Sequence, residues 1–315
     1  MSALSDPVYQ QLLGGVLGAL VLGTVVGQLL KRRARSDSAR ATVDNMNQRI
    51  GAWWVMCAVF GLALLTGGLG SIALFALLSL LALRELITLI ESSRADHRAL
   101  VIAFFIVTPA QYVLVATQWY GLFAILIPVY VFLLIPAVLA IIGDTNDFLR
   151  RTAMIQWALM ICVYAVSHAP ALLLLDIPGY SGREALLLFF LALVVQLSDV
   201  LQYVWGKLLG RHPIAPRVSP NKTWEGFVGG AVCATLVGTA LYWSTPFSPL
   251  EAAAMSLTIV VVGFLGGLVM AAIKRDRGVK DYGALIPGHG GVLDRIDSLT
   301  FAAPVFFHLT RYFFA

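Results

Sequence analysis

The residues with the greatest chemical capacity lie in one stretch, Lys274–Asp297, which reads KRDRGVKDYGALIPGHGGVLDRID. Six of its first eight residues are charged, although only 12% of the whole chain is charged. A glycine-rich turn follows, and then two aspartates close together. Cations, carboxylates and glycines in this order indicate a site for phosphate and metal at a membrane surface. The alternative is a basic loop that only fixes topology, but such a loop needs neither a glycine turn nor paired acids.

Three aspartates are the candidate metal ligands. Asp294 and Asp297 are three positions apart and share a helix face, with Arg295 on a neighbouring face. Two such carboxylates suit Mg²⁺, which completes its shell with waters and substrate phosphates. Asp199 lies at the end of an apolar helix, where a carboxylate is costly unless it faces a cavity, a cation or a metal. No Walker lysine motif, HExxH motif or Ser-His-Asp order is present, so metal-assisted phosphoryl chemistry is the favoured class.

Cations and backbone donors near these acids could hold phosphates. The segment Ser219–Thr223 (SPNKT) resembles the start of a helix, where exposed N–H groups favour anions. Two cations after Asp199 are spaced about one helical turn apart, so one phosphate could meet both. Glycines in the turn let the backbone approach a ligand. The predicted substrate-binding residues are Lys207, Ser219, Lys222, Lys274, Arg275, Gly290 and Gly291, with Arg211 as the second cation of the spaced pair.

The predicted catalytic residues are Lys280, Asp281, His289, Asp294, Arg295 and Asp297. Two of them have a structural alternative. His289, between two glycines, could position a phosphate oxygen or could stabilise the turn. Asp281 could act in the site or form a salt bridge to Lys280 or Arg277.

The composition places this site in a membrane protein. With 59% hydrophobic residues and a mean hydropathy of +0.84, the chain is too apolar for a soluble domain. Apolar runs near the length of a bilayer-spanning helix recur throughout. Cys57, Cys162 and Cys233 all fall within these runs and are interpreted as buried thiols. The predicted spans are 10–30, 51–67, 69–90, 100–117, 119–142, 152–175, 184–204, 224–243 and 250–273, with 299–315 as either a tenth crossing or a segment that re-enters the membrane.

The cations predict the orientation of these spans. If the first helix runs from outside to inside, every lysine and arginine except Arg183 and Arg311 falls on the inner side, as the positive-inside rule requires. The basic pI near 9.2 then reflects topology, and no nucleic-acid partner is expected. We therefore predict an all-α polytopic protein of nine to ten transmembrane helices. Its N-terminus lies outside and its catalytic loops face the cytoplasm.

Three regions are predicted along the chain. Residues 1–50 hold the first helix and a polar linker over 31–49. Residues 51–183 form a multi-helix hydrophobic region. Residues 184–315 carry both polar motifs.

The run at 274–297 resembles the signature of the phosphatidate cytidylyltransferases (CDP-diacylglycerol synthases). The shared pattern is Lys-Arg, four residues, Lys-Asp, a spacer, Pro-x-His-Gly-Gly, and Asp-Arg-x-Asp. SPNKTWEG and Ser198-Asp199 are similar to a second motif of that family. The resemblance implies transfer of CMP from CTP to phosphatidate with release of pyrophosphate. It also implies Mg²⁺, with a monovalent cation as an option, and a homodimer in a bacterial inner membrane.

Two positions in the helix before Lys274 depart from the family pattern. Gly267 stands where family members usually carry an acid, and Ala271 stands where they usually carry serine. These departures leave a second hypothesis open: a catalytically silent relative that binds or transports an anionic lipid or a nucleotide. The intact Asp294–Asp297 run favours the enzyme, because a pocket that only binds phosphates has no use for two acids facing them.

Overall fold

The computed structural model describes residues 7–33, 36–90, 94–286, 288 and 290–315. It contains long helices and one short β-hairpin. Three of the helices include a π-helical turn, at Ala103–Val107, Leu126–Val131 and Met160–Ala165. In chain order the elements are α1 (Pro7–Arg33), α2 (Asp37–Leu65), α3 (Gly67–Thr88), α4 (His97–Ala116), α5 (Tyr120–Ile142), α6 (Phe148–Leu174), α7 (Glu184–Leu209), β1 (Pro213–Ala215), β2 (Ser219–Thr223), α8 (Trp224–Ala240), α9 (Pro249–Asp276) and α10 (Leu293–Phe314).

Eight of the described helices, α1 to α7 and α9, are long and apolar enough to cross a membrane. The prediction of nine to ten spans therefore exceeds the number that length and composition support. Two helices, α8 and α10, are not in this set, and a physical reason explains each case. The helix α8 has 17 residues, about 26 Å at 1.5 Å per residue, which is short for a hydrocarbon core near 30 Å. The helix α10 has 22 residues but begins with three charged side chains.

The N-terminal hairpin of α1 and α2 lies at the edge of the bundle, whereas α6 lies at its centre. In the most apolar stretch of α6, 72% of residues are buried, against 11% in α1 and 6% in α2. Polar contacts join α1 to α2: the Trp54 indole donates to Thr24 Oγ1 at 3.0 Å, and Lys31 pairs with Asp44 at 2.7 Å. Most of the polar linker interpreted at 31–49 is helical, because α1 ends at Arg33 and α2 begins at Asp37.

Glycines bring α7 and α8 into close backbone contact. A Cβ added at Gly226 would lie 2.8 Å from the Gln202 carbonyl oxygen, and one at Gly230 would lie 2.6 Å from the Gln202 nitrogen. Any side chain at these positions would push the helices apart. The helix α9 packs on both α8 and α10. The contact between α7 and α8 therefore helps to position the helices that carry both polar motifs.

The β-hairpin corrects the all-α prediction in one place. Strand β1 pairs antiparallel with β2, with Pro213 opposite Thr223 and Ala215 opposite Ser219. The segment predicted to start a helix is therefore strand β2, and the helix starts directly after it. Thr223 is the N-cap of α8, and its Oγ1 accepts the Gly226 N–H at 3.2 Å.

The predicted division into three regions stays a prediction. Its first boundary, at residue 50, lies within α2, and its second, at residue 183, immediately precedes α7.

Candidate functional site

Asp294, in the first turn of α10, is held entirely by the protein around it. Its Oδ1 accepts from Lys274 Nζ at 2.8 Å, and its Oδ2 accepts the backbone N–H groups of Tyr282 at 2.7 Å and Gly291 at 3.0 Å. The side chain is 2% exposed. The carboxylate therefore ties the end of α9, Tyr282 and Gly291 to the start of α10. Its oxygens are engaged before any ligand arrives.

Glu85, which the sequence analysis did not single out, holds the same region from another helix. It lies in the last turn of α3, and its two carboxylate oxygens accept the backbone N–H groups of Val292 and Leu293, each at 2.9 Å. No side chain of α10 itself caps this helix start. Glu85 thus supplies an N-terminal cap and a negative charge at the positive end of the helix dipole.

The glycines of the signature make room for these two acids. A Cβ at Gly283 would lie 2.7 Å from Glu85 Oε1, and a Cβ at Gly291 would collide with the same carboxylate. Gly290 has φ +83°, a left-handed conformation that favours glycine, and a Cβ there would lie 2.9 Å from Asp294 Oδ2. The predicted role of Gly290 and Gly291 in substrate binding is untested. The contact that the structure gives them is to these carboxylates.

Asp199 and Asp297 are brought together from α7 and α10. Ser298 connects them: its hydroxyl donates to Asp199 Oδ1 at 3.2 Å, and its backbone N–H donates to Asp297 Oδ1 at 2.8 Å. The two carboxylates are close enough for their charges to interact. The repulsion between two such acids in a protein interior is relieved by a nearby cation or by protonation of one of them.

Lys222 supplies one such cation. Its ammonium interacts electrostatically with both Asp199 and Asp297 and lies 4.7 Å from the centre of the Phe264 ring. Burial lowers the pKa of Lys222, and the two carboxylates oppose that effect by favouring its charged form. A Cβ at Gly267 would lie 2.8 Å from Lys222 Nζ and 3.3 Å from Ser298 Oγ. The position where this chain departs from the family pattern therefore faces this site.

Arg295 adds a second cation to the carboxylate pair. Its charge interacts with Asp199 and Asp297, and its main-chain oxygen accepts from Gln196 Nε2 at 3.1 Å. The Arg295 Nε–H is buried and has no partner in the part of the chain that the structure describes. Such a donor is costly unless a ligand or water accepts from it. It is therefore suited to a phosphate oxygen.

Several predicted cations lie away from the carboxylate pair. Lys207 is exposed in the last turn of α7, 5.9 Å from the Tyr203 ring centre. Because α7 ends at Leu209, Arg211 is not on the helix, and the predicted one-turn spacing does not hold. The Arg275 guanidinium donates to the Val218 carbonyl oxygen at 3.2 Å, which ties the β-hairpin to the end of α9.

Lys280 and Asp281 are both exposed, shortly after the end of α9. Within the described residues Asp281 forms no salt bridge to Lys280 or Arg277, because Arg277 pairs with Asp276 instead. Ser219 is half-buried at the start of β2. His289 lies outside the described residues, and its predicted role stays a prediction.

The donor set can be compared with the needs of a metal ion. Across the described ranges no three His, Cys, Asp or Glu side chains assemble as a metal-binding group. Asp199 and Asp297 do form a pair, and Mg²⁺ commonly takes two carboxylates together with waters and substrate phosphates. The site therefore fits one Mg²⁺ on this pair, with Asp294 committed to hydrogen bonds with the protein.

Comparison with known proteins gives matches over most of the chain. A family model described as "Cytidylyltransferase family" matches residues 47–313. The chain is 39% identical over 305 residues to "Uncharacterized protein YnbB" of Escherichia coli (strain K12), covering 95% of this chain and 97% of that protein.

Shorter alignments reach proteins with a named activity. The chain is 46% identical over 121 residues to a phosphatidate cytidylyltransferase of Mycobacterium leprae, covering 37% of this chain and 38% of the relative. It is 43% identical over 120 residues to one of Staphylococcus saprophyticus, covering 38% and 46%. The alignments thus span less than half of each named enzyme.

Proposed function

We propose that this chain, which belongs to the cytidylyltransferase family, transfers CMP from CTP to phosphatidate to give CDP-diacylglycerol and pyrophosphate. The observation that carries the proposal is the meeting of Asp199 and Asp297 beside Lys222 and Arg295, whose Nε–H has no partner among the described residues. Acids and cations so arranged suit a polyphosphate with a metal ion. The names of the partial relatives from Mycobacterium and Staphylococcus support the choice of substrates.

The proposed reaction requires mainly that the protein orient the two substrates and stabilise the charge on the leaving group. An oxygen of the phosphatidate phosphate forms a bond to the α-phosphorus of CTP while the bond from that phosphorus to the bridging oxygen breaks. The electron pair leaves with pyrophosphate, and no base is needed because the attacking phosphate is already ionised near neutral pH. Lys222 and Arg295 would hold the phosphates and stabilise the charge that develops on the leaving group.

Asp199 and Asp297 would hold Mg²⁺, which when bound neutralises phosphate charge and helps to orient the nucleotide. Asp294, Lys274 and Glu85 act on the site indirectly, since they fix the start of α10 and hence the position of Asp297. A monovalent cation beside Mg²⁺ and a homodimeric state are further parts of the proposal that rest on the family resemblance.

The site is proposed to face the cytoplasm, with the N-terminus outside, in a bacterial inner membrane. The distribution of cations along the chain supports this orientation. The lipid tails would enter sideways between helices from the bilayer.

The test is formation of CDP-diacylglycerol by the purified protein in mixed micelles, from labelled CTP and phosphatidate. We expect product that requires Mg²⁺ and is lost in Asp297→Asn. A substitution of Asp297 is a better inactive control than one of Asp294, because the hydrogen bonds of Asp294 hold the fold of the site. Absence of product from the parent protein, when that protein remains folded throughout purification and assay, would contradict the proposal.

A second candidate, a silent relative that binds an anionic lipid or a nucleotide, is favoured by Gly267 and Ala271. Gly267→Asp would place a carboxylate against Lys222, and Gly267→Ala adds the Cβ without the charge. If Gly267→Asp forms product but the parent and Gly267→Ala do not, the parent is a family member that has lost its catalytic activity. CTP binding that is independent of Mg²⁺, with no product from any variant, would favour the binding protein.

A further inference from the structure

A cleft lies at the end of α10 opposite to the signature. Its walls include Leu114, Tyr120, Phe123, Leu174, Phe307 and Arg311. Arg311 follows Asp297 by 14 positions on one helix, which corresponds to about 21 Å along the axis at 1.5 Å per residue. The cleft is thus well separated from the carboxylate pair, at the opposite end of α10.

Arg311 is a cation without a carboxylate partner in the described part of the chain. Its guanidinium lies 3.7 Å from the centre of the Tyr120 ring, a contact that orients the charge without neutralising it. The Tyr120 hydroxyl lies 3.5 Å from His308 Nδ1. Gln118 adds an amide, and the remaining walls are mostly apolar. This combination of one cation, polar groups and an apolar wall complements an anionic amphiphile.

Two buried polar atoms behind the cleft wall lack partners among the described residues. His168 is fully buried, and its ring centre lies 4.8 Å from Phe123 and 5.3 Å from Phe307, both in the cleft wall. Its Nδ1 lies 2.8 Å from the Tyr164 carbonyl oxygen and must donate to it, so Nε2 is an acceptor. That Nε2 has no partner among the described residues.

Gln111, like His168, has a buried acceptor without a partner among the described residues. Its amide nitrogen donates to the Phe123 carbonyl oxygen and to Ser167 Oγ, each at 3.2 Å, while its Oε1 has no described partner. Both atoms are fully enclosed behind the wall, so an ordered water, and not a ligand in the cleft, would satisfy them. In the cleft itself Arg311 calls for an anion and the apolar wall calls for acyl chains. An anionic phospholipid supplies both.

We infer that this cleft binds the headgroup of an anionic phospholipid, with the phosphate on Arg311 and the acyl chains along the apolar wall. The site is distinct from the substrate site at the other end of α10, and it does not depend on the proposed reaction. Its occupant is a lipid of the membrane face opposite to the signature.

The experiment measures lipid retained by the purified, delipidated protein by native mass spectrometry. The probes are phosphatidylglycerol and phosphatidylcholine. We expect the parent to prefer phosphatidylglycerol and Arg311→Gln to bind it about tenfold or more weakly, because a charged hydrogen bond is lost. Arg311→Lys keeps the charge and should keep part of the preference. A melting curve in detergent checks that each variant is folded.

Two variants serve as controls. Arg183→Gln removes the other cation predicted for the same membrane face and should leave retention unchanged. Asp297→Asn should lose turnover but keep retention, which separates this cleft from the substrate site. Unchanged binding in Arg311→Gln, or an equal loss in Arg183→Gln, would overturn the inference. Displacement of the lipid by an equimolar amount of inorganic phosphate would overturn the assignment to a lipid.

Discussion

Asp294 and Asp297 share one face of α10 but have different partners. Asp294 is surrounded by donors, namely Lys274 and two backbone N–H groups. Asp297 faces Asp199, another acid, across Ser298. A carboxylate with satisfied donors stabilises structure, whereas one facing a second carboxylate carries repulsion that a metal or cation relieves. The two residues should therefore respond differently to the same substitution.

Asp294→Asn should lower the free energy of unfolding by about 3–5 kcal/mol, the usual cost of breaking a buried ion pair. The new amide group would face either the Lys274 ammonium or a backbone N–H. Asp297→Asn should instead reduce turnover by about 100-fold or more while stability changes little. The measurements are thermal unfolding in detergent and CDP-diacylglycerol formation. Equal destabilisation by both substitutions would contradict the different roles.

At the scale of elements, the start of α10 depends on a residue more than 200 positions earlier in the chain. Glu85 on α3 caps α10, and the glycines of the signature leave room for its carboxylate. The N-terminal half of the protein therefore takes part in the site, although the signature lies in the C-terminal half. This contact couples the position of α3 to that of Asp297.

Glu85→Gln should weaken this coupling, because an amide can accept only one of the two N–H groups and turns its own donors toward the other. We expect a loss of about 1–3 kcal/mol in stability and a lower kcat, since Asp297 moves with α10. Glu251→Gln is the matched control: Glu251 accepts the Ser248 N–H at 2.7 Å in the capping box of α9, at the end remote from the signature. It should leave kcat unchanged. A normal kcat in Glu85→Gln would refute the positioning role.

At the scale of the whole molecule, helix directions place the two polar regions at opposite ends. The β-hairpin contacts the end of α9 through Arg275 and Val218, and Glu85 contacts the start of α10, so these loops gather at one end. The cleft of Tyr120 and Arg311 lies at the other end of α10. Which end faces the cytoplasm is a prediction from the cations alone.

Cysteine labelling tests that orientation. In a variant without Cys57, Cys162 and Cys233, Ser181→Cys should react with a membrane-impermeant maleimide added to intact cells. Arg217→Cys should react only after the cells are permeabilised. Both native side chains are exposed, so reactivity reports the membrane side and not burial. The reverse pattern would invert the topology and place the signature outside.

The sequence by itself determined the class of protein, the family and most helices. Apolar runs of bilayer length identified the spans, because an apolar segment must satisfy its backbone within a helix whatever its neighbours are. The resemblance read from the signature is confirmed by the family match over 47–313. Local patterns were less reliable at element ends: the 31–49 linker is largely helical, and Ser219–Thr223 is a strand.

Tertiary structure alone decided which polar groups meet. The i, i+3 spacing placed Asp294 and Asp297 on one face but could not tell which helix lies opposite each of them. Only the packing of α7, α9 and α10 brings Asp199 to Asp297 and Lys274 to Asp294. Glu85 gave no local signal beyond being an acid in an apolar helix. Its role exists because α3 ends beside the start of α10, a contact between residues far apart in the chain.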